Sequence, residues 1–544
     1  MNALPPVAPL RAIHNPLASL IAVVLGLSAP AAIAASTWPV TSCEDDGTLG
    51  TLRSIVGAGT TASGDTVDLS ALVCSGSLIS LQTGAIEIKQ DDLTLIGPGA
   101  ALLQVDGSKL AYYSQGDYRI FTHSGSGTLT LQALGVTHGH VYHAGDGYAS
   151  RGGCIYSSAN VELKEVEVSK CSAYSAKNYA RGGAVIAYGT VTLNGSTVSA
   201  NSATSASKSA EGGGVWAKGD VSLFRSQAIG NATTTQDTLY ASGGGIFANN
   251  DLGLSFSTLS GNSTSAPTGR SHGGGAYIYG AFTCDYSTID GNSATGASSY
   301  AVAGGTWSRG DAAIKRCTIS NNHSDGAVGG MTFHDVNAAA HTVDIRHSTV
   351  SGNSAGTLVG GVASFFSSTL LYNTTIAFNS AGIGSIPGPL FYGPGLALSG
   401  SNTAIAATLS SSLLSNNTYG AGIEVDLTTA PTILHPIMFN ASPANNLVRS
   451  YLASGLPDDT IAKACPLLGP LRDNGGPTWT HALLSTSAAI DVGNNVNGDD
   501  QDQRGLATDG KPFLYPRVSN VFADIGAYEV NQDDIVFNGG FDES

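Results

Sequence analysis

The stretch EGGGVWAKGDVSLFRSQAIGNAT, residues 211–233, is followed by SGGGIFANNDLGLSFSTLSGNST at 242–264 and HGGGAYIYGAFTCDYSTIDGNSA at 272–294. Each copy begins with a glycine run and an aliphatic residue, and each ends on an Asn before a small residue. These two marks recur at steps of 30 or 31 residues through much of the chain. A fixed period of this length is typical of a solenoid whose repeats stack on one another.

Between the two marks lie short segments that are apolar at every second position, which indicates strands, and no window keeps a 3.6-residue period. The repeats therefore predict an all-β parallel solenoid, a β-helix with rungs of about 30 residues. Because neighbouring rungs lie roughly 4.8 Å apart, equivalent residues form columns along the axis. We expect the recurrent Asn side chains to form a hydrogen-bonded ladder: Asn201, Asn231, Asn262, Asn292, Asn322, Asn353 and Asn379.

The overall charge narrows the range of partners. The 544 residues include 24 Lys and Arg against 40 Asp and Glu, for a net charge of −16. No basic cluster is present that could neutralise phosphates, so nucleic acid and anionic lipid are not expected as partners.

The first 35 residues read as a targeting signal. Arg11 precedes an apolar run at 17–27, and the small residues APAAIAAS follow. This run is too short to span a bilayer comfortably, and no later run is longer, so we predict an exported chain without a transmembrane span. Export also permits disulfides.

An outward column follows the glycine runs. The residue after each inward aliphatic points outward in a strand, and most residues at that position are aromatic. Rings at rung spacing could bind sugar faces, or they could be ordinary packing beneath a long loop. The candidate ligand-binding residues are Tyr156, Trp216, Phe247, Tyr277 and Trp307.

A second column lies just before the glycines and reads Arg151, Arg181, Glu211, Ser242 and His272. Arg beside Glu could bind a uronate, or the column could be a solvated loop edge. Variable loops rich in Ser, Thr and Ala precede it, on the side where solenoids commonly bind.

Catalytic candidates concentrate in two consecutive rungs. Sugar-chain cleavage needs paired carboxylates, or calcium with a basic residue that takes a proton. No repeat stacks such a set convincingly, and the weak candidates are Arg309, Asp311, His334 and Asp335. Near them lie Lys315, Arg316, His323, His341 and His347, which could include a base or a metal ligand or could be scattered surface groups.

Calcium is the one cofactor that the sequence suggests, since no CxxC or nucleotide-binding motif occurs. Carboxylate and amide oxygens of the NNVNGDDQD stretch could bind Ca²⁺, although no EF-hand pattern is present and a solvated turn is the alternative. The weak metal candidates are Asp499, Asp500 and Asp502.

The N-terminal stretch carries a family resemblance. VTSCEDDGTLGTLRSIVGAG at 40–59 leads into GDTVDLS and DDLTLIGPG. It resembles the CSLREA-type region of secreted right-handed β-helix proteins, although Ser54 replaces the acid of the LRE motif. The resemblance implies a helical cap and first rungs over 36–125, followed by β-helix repeats over 126–430. The repeats are also similar to polymorphic-outer-membrane-type and pectate-lyase-like β-helices, which implies a right-handed coil.

The C-terminal stretch carries a second resemblance, from Cys465 to Val530. CPLLGPLRDNGGPTWTHALLSTSAAIDVGNN, DQDQRG and FADIGAYEV occur in the order found in the choice-of-anchor Q domain. This resemblance implies a small domain over 431–530, a short tail over 531–544 and a secreted or surface location, without implying a chemistry.

Seven cysteines leave at least one unpaired within the chain. Cys43 and Cys74 flank the predicted cap, and we expect them to form a disulfide. Cys154 falls in an inward column and Cys171 takes a position of the Asn ladder, where buried thiols and a bond are equally open.

Three functions remain open, because the β-helix fold hosts them all. The leading hypothesis is non-catalytic binding or adhesion to a polysaccharide, a cell-surface glycan or a surface protein. The alternatives are a polysaccharide lyase or glycoside hydrolase, and a structural stalk.

Overall fold

A computed structural model describes residues 35–57, 59–110, 116–145, 147–296, 301–334, 341–382, 393–400, 405–420, 422–430, 437–505 and 515–531. Residues from Ser36 onward form one compact unit. It is a parallel β-solenoid of about 12 turns, as the repeats predict. No helix within the described residues is long and apolar enough to cross a membrane.

One rung illustrates the path of the coil. The chain runs from Asn160–Lys164 through Glu167–Ser169, Ser172–Ser175 and Ala180–Arg181 to Val185–Ala187, which pairs with Ile155–Ser157 of the preceding rung. Each of these five strands pairs with its equivalent in the adjacent rungs, so the described residues form five long sheets, named A to E in this order.

Sheet A has 14 described strands: Thr37–Pro39, Thr66–Asp68, Leu93–Ile96, Thr128–Gln132, Asn160–Lys164, Val191–Asn194, Val221–Phe224, Leu252–Ser255, Phe282–Asp285, Ala312–Lys315, Thr342–Arg346, Ser368–Tyr372, Ile405–Ser410 and Ile437–Phe439. Sheet B has 13 described strands: Leu78–Ser80, Gln104–Asp106, Gly135–Thr137, Glu167–Ser169, Thr197–Ser199, Gln227–Ile229, Thr258–Ser260, Thr288–Asp290, Thr318–Ser320, Thr349–Ser351, Thr375–Ala377, Leu413–Ser415 and Leu447–Val448.

Sheet C has 12 described strands, antiparallel at its two end pairs: Gly116–Tyr118, His140–His143, Ser172–Ser175, Ser202–Ser205, Ala232–Thr235, Ser263–Ala266, Ser293–Gly296, His323–Ser324, Ser354–Ala355, Ser380–Ala381, Thr418–Tyr419 and Ile423–Glu424. Sheet D has six described strands: Ser150–Arg151, Ala180–Arg181, Ala210–Glu211, Tyr240–Ser242, Arg270–His272 and Ala301–Val302.

Sheet E has 13 described strands: Ile86–Ile88, Phe121–His123, Ile155–Ser157, Val185–Ala187, Val215–Ala217, Ile246–Ala248, Ala276–Ile278, Thr306–Ser308, Met331–His334, Val362–Phe365, Leu396–Ser399, Leu427–Ala430 and Tyr451–Leu452. The remaining described elements are a two-stranded antiparallel sheet, a short 3₁₀ turn and one helix: Leu468–Arg472, Thr480–Leu483, Ser75–Ser77 and Leu52–Gly57.

The interior consists of inward columns of aliphatic residues, because alternate strand residues face the coil axis. At the turn between sheets B and C, the Asn ladder is present as predicted. The Nδ2 of Asn262 donates to Oδ1 of Asn292 at 2.9 Å, and the Nδ2 of Asn292 donates to Oδ1 of Asn322 at 2.9 Å. Cys171 precedes the ladder and donates its backbone N–H to Oδ1 of Asn201.

The glycine runs form the bend between sheets D and E. Gly182 has a φ of 62°, in the left-handed region that glycine adopts most readily. A side chain on the next residue, Gly183, would meet the carbonyl oxygen of Gly213 in the following rung. The first glycine of the recurrent pair thus adopts a left-handed φ, and the second allows the backbones of two rungs to approach closely.

Three disulfides are present. Cys43 pairs with Cys74, as predicted, at an S–S distance of 1.98 Å. Cys154 pairs with Cys171, so these two residues form a disulfide and are not buried thiols. Cys284 pairs with Cys317. Cys465 is unpaired and exposed.

The predicted N-terminal helix is present at Leu52–Gly57, with Leu52 and Val56 buried. Arg53 fixes it to its surroundings through an ion pair with Asp45 at 2.8 Å and a hydrogen bond to the carbonyl of Gly84 at 2.7 Å.

The C-terminal segment, described at residues 466–505 and 515–531, packs along the outside of the coil against sheet B. Gln503 accepts a hydrogen bond from Thr349 Oγ1 at 2.5 Å and donates to Thr318 Oγ1 at 3.0 Å. His481 Nε2 lies 2.8 Å from Ser351 Oγ. Sheet B threonines in these rungs are consequently buried.

Candidate functional site

The aromatic column lies on the outer side of sheet E, and register pairs its members rung by rung: Tyr156, Ile186, Trp216, Phe247, Tyr277 and Trp307. The sequence leaves open whether these rings face a sugar or pack beneath a loop, and in the structure most of them are buried. The last four aromatic side chains are only 5–6% exposed, while Tyr156 is half-buried.

The rings are buried because they stack on one another along the axis. The Phe247 and Tyr277 centroids are 5.1 Å apart with planes 9° from parallel, and those of Tyr277 and Trp307 are 4.5 Å apart with planes 7° from parallel. Rung spacing is close to the separation that stacked rings prefer. The ring faces therefore contact other rings, and burial raises the pKa of Tyr277 above its usual value.

A groove opens over the later part of this column, between sheet D and the edge of sheet E. Its volume is about 840 Å³, and Phe247, Tyr277 and Trp307 form part of its lining. Tyr240 on one side and Tyr279 on the other are each 39% exposed. The groove thus combines a stacked aromatic lining with two accessible tyrosines.

Glu211 is the acidic residue among the described lining residues, and it already has partners. Its Oε2 lies 2.7 Å from Arg181 Nε and accepts a hydrogen bond from the indole nitrogen of Trp216 at 3.0 Å. The ion pair compensates the carboxylate charge, so Glu211 adds little negative potential to the groove.

Arg309 has no such compensation. Its guanidinium carbon lies 4.5 Å from the Tyr279 ring centroid and 5.0 Å from that of Trp307. The Nε atom is buried, and no hydrogen-bond acceptor or carboxylate in the described part of the chain pairs with it. Two aromatic rings therefore hold a cation that has no acceptor among the described residues.

Two histidines also line the groove. His272 is parallel to Tyr277 and Trp307, with centroids 6.0 and 5.9 Å away. Burial, helped by the nearby Arg270 and Arg309 charges, lowers the pKa of His272 to about 4, so this ring is neutral at pH 7. The His334 ring lies 6.1 Å from that of Trp307, in the rung after Arg309.

The structure separates the candidate catalytic residues. Arg309 and His334 line the groove, whereas Asp311 lies outside it at an exposed turn. Asp311 accepts a hydrogen bond from the backbone N–H of Thr342 at 2.7 Å and holds the next rung. Asp335 lies outside the described residues.

The other nearby histidines lie apart from the groove. The described contacts place His323 on sheet C beside Asp325, His341 beside Asp311 and His347 against the C-terminal segment. The two rungs thus do not bring the histidines to one site.

The three acidic candidates for calcium take different roles. Asp499 lies 2.9 Å from His347 Nε2 and 3.4 Å from Lys315 Nζ, while Asp502 is fully buried against Arg504 at 2.8 Å. Asp500 is exposed. Within the described ranges, no three His, Cys, Asp or Glu side chains are grouped to hold a metal ion.

Several groove residues were not predicted from the sequence. Tyr279 lies two residues after Tyr277, so the two-residue strand period could have identified it. Arg270, Phe365 and Phe366 also line the groove. Phe365 and Phe366 come from one later rung, where Ala363 takes the column position, so no repeat signal marks them.

No protein-family model, curated protein or solved structure matches this chain.

Proposed function

We propose that the protein binds carbohydrate in the groove between sheets D and E, without catalysis. The observation that carries this proposal is the pairing of exposed Tyr240 and Tyr279 across a cleft of about 840 Å³. Tyrosine offers an apolar ring to a sugar face and a hydroxyl to its polar edge. The cleft size falls in the usual range for small-ligand sites.

The polar groups of the groove support binding over cleavage. Hydrolysis of a glycosidic bond uses two carboxylates, one on each side of the bond. Among the described lining residues the groove offers Glu211 alone, and its carboxylate is already bound by Arg181. Arg309 instead supplies N–H donors that orient a ligand.

The groove aromatics proposed here differ in role from the predicted platform. Trp216, Phe247, Tyr277 and Trp307 stack on each other and form a rigid base, whereas Tyr240 and Tyr279 would contact the sugar. Tyr156 lies toward the N-terminal end of the same column and extends the base.

We also propose the finer assignments that the resemblances imply. The coil is right-handed, 36–125 includes a helical cap, and 431–530 is a choice-of-anchor Q-like domain. Residues 1–35 direct export, and the protein acts outside the cell or at its surface. Three disulfides are compatible with this location, since such bonds persist in oxidising compartments.

Retention of the purified protein on a panel of immobilised polysaccharides tests the proposed function. The double variant Tyr240→Ala with Tyr279→Ala should lose retention by about tenfold or more, since each stacked ring contributes on the order of 1 kcal/mol. The matched control is Tyr451→Ala, because Tyr451 is 40% exposed and lies on the terminal strand of sheet E, outside the groove lining.

Three results would overturn the proposal. The first is equal retention of the double variant and the control. The second is release of reducing or unsaturated sugar ends that Arg309→Gln or His334→Ala abolishes, which would establish the lyase or hydrolase alternative. The third is failure of every polysaccharide to retain the protein, which would favour the structural stalk.

A further inference from the structure

We propose that the ligand of the groove is an acidic glycan, whose sugars carry a carboxylate or a sulfate ester, and that Arg309 binds this anionic group. The inference rests on the proposed function and adds the chemical class of the ligand.

The first support is the unpaired state of Arg309. A guanidinium has five N–H donors and keeps its charge at any physiological pH. The described residues supply none of these donors with an acceptor, although the Nε atom is withdrawn from solvent. A buried donor without a partner is costly, so such a group indicates that a ligand supplies the acceptor.

The second support is the position of the guanidinium. Rings of Tyr279 and Trp307 contact it, with centroid distances of 4.5 and 5.0 Å. Contacts of this kind restrict the side chain and lower the entropy lost when it binds. A planar guanidinium donates two parallel N–H bonds to a carboxylate or a sulfate, which suits an anion better than a neutral hydroxyl.

The third support is the local charge balance. The protein as a whole has a net charge of −16, yet the described groove lining contains Arg309 without a carboxylate partner and a Glu211 that Arg181 neutralises. A positive groove on an acidic protein attracts anionic ligands and repels cationic ones. At neutral pH this charge comes from Arg309, because His272 is neutral there.

The acidic and neutral members of two matched polymer pairs provide the test. Polygalacturonate is compared with its methyl ester, and dextran sulfate with dextran, so that each pair differs in its anionic groups. The protein variants are Arg309→Gln, the charge-preserving Arg309→Lys and a control, Arg225→Gln. Arg225 also lies over an aromatic ring, that of Phe224 at 5.1 Å, but it is exposed and outside the groove.

We expect the wild type to bind the charged member of at least one pair about tenfold or more tightly than its neutral partner. Arg309→Gln should abolish that preference, Arg309→Lys should keep part of it, and Arg225→Gln should leave it unchanged. Binding should also weaken as NaCl is raised. Preference for polygalacturonate identifies the carboxylate, and preference for dextran sulfate identifies the sulfate.

Three outcomes would overturn the inference, and they are distinguishable. Equal binding of charged and neutral members, still reduced by the tyrosine double variant, would reject the acidic class and leave glycan binding standing. No binding of any polymer would reject both proposals. Equally tight, Arg309-dependent binding of polyglutamate would identify an acidic polypeptide as the ligand instead of a glycan. Thermal unfolding of each variant verifies that it is folded.

Discussion

Asn417 donates both its backbone N–H and its side-chain amide to Oδ1 of Asp426, at 3.0 and 2.8 Å. The Asn ladder thus ends on a carboxyl group, where the preceding rungs use an amide oxygen. Asp426 is fully buried, and burial raises its pKa from 3.8 to about 6. The last acceptor of the ladder therefore titrates in a range where the other ladder side chains do not.

Asp426 should make stability depend on pH. The pKa is raised in the folded protein, so the contribution of this group is fully present below about pH 4 and is lost as pH rises through about 6. A shift of about two units corresponds to at most about 3 kcal/mol. In the wild type, loss of this contribution should lower Tm between pH 4 and pH 7. We expect Asp426→Asn to remove that part of the decrease in Tm.

The control for this prediction is Asp458→Asn, because Asp458 is exposed. Its thermal unfolding curves should follow the wild-type pH dependence. An Asp426→Asn profile parallel to that of the wild type over this range would show that Asp426 does not titrate as described.

The middle of the Asn ladder should be sensitive to truncation. Asn292 is fully buried, and its Oδ1 accepts the backbone N–H and the Nδ2 of Asn262, at 3.0 and 2.9 Å. Asn292→Ala leaves the backbone N–H and one of the two amide N–H groups of Asn262 buried and unpaired, which should lower the free energy of unfolding by about 2–4 kcal/mol. Denaturant unfolding measures the loss. Asn249→Ala, at an exposed turn, should change it by less than about 0.5 kcal/mol.

Two neighbouring acidic residues of the C-terminal segment should differ sharply. Asp502 and Arg504 are both fully buried and form an ion pair at 2.8 Å. Asp502→Asn would remove the carboxylate charge that faces this buried guanidinium, so we expect a loss of about 3–5 kcal/mol. Asp500→Asn, two residues earlier and exposed, should be close to neutral.

Thermal unfolding of these two variants measures the difference between a structural ion pair and a surface charge. Similar Tm values for Asp500→Asn and Asp502→Asn would contradict the buried pair. The same scan with and without millimolar CaCl₂ tests the calcium hypothesis, since a Ca²⁺-dependent rise in Tm that Asp500→Asn abolishes would restore it.

The cysteine pairing predicts a simple stoichiometry. Six of the seven cysteines form disulfides, and Cys465 is exposed and free. A thiol reagent should therefore titrate one thiol per chain in the native, unreduced protein. Cys465→Ser should reduce this number to none, whereas two or more reactive thiols in the wild type would contradict the pairing.

The aromatic column was predictable in its position but not in its burial. Period-two alternation correctly placed Phe247, Tyr277 and Trp307 in one outward column. It could not show that the rings bury one another, because burial depends on the rotamers of residues 30 positions apart and on the neighbouring sheet D. That Tyr240 and Tyr279 are both exposed and line one groove became apparent only from the packed structure.

The C-terminal segment shows the same division. Its motifs were recognisable in the sequence, but Asp499, Asp500 and Asp502 were grouped there as one candidate calcium set. In the folded chain Asp499 meets His347 and Asp502 meets Arg504. Contacts between His347 and Asp499 span 152 residues, and no local pattern encodes a pairing of that range.

The repeats and the cysteine positions were enough to predict the parallel solenoid, the rung length, the Asn ladder and the disulfide of Cys43 with Cys74. The first three follow from the repeat, because stacking at rung spacing turns sequence periodicity directly into spatial columns. The disulfide follows from the two cysteines that flank the predicted cap. That Arg309 lies unpaired between two rings while Glu211 is neutralised by Arg181 emerged from the folded chain alone. Whether a charge is neutralised depends on which side chains from different rungs contact each other. The repeat places these side chains at equivalent positions, so it does not show which of them form pairs.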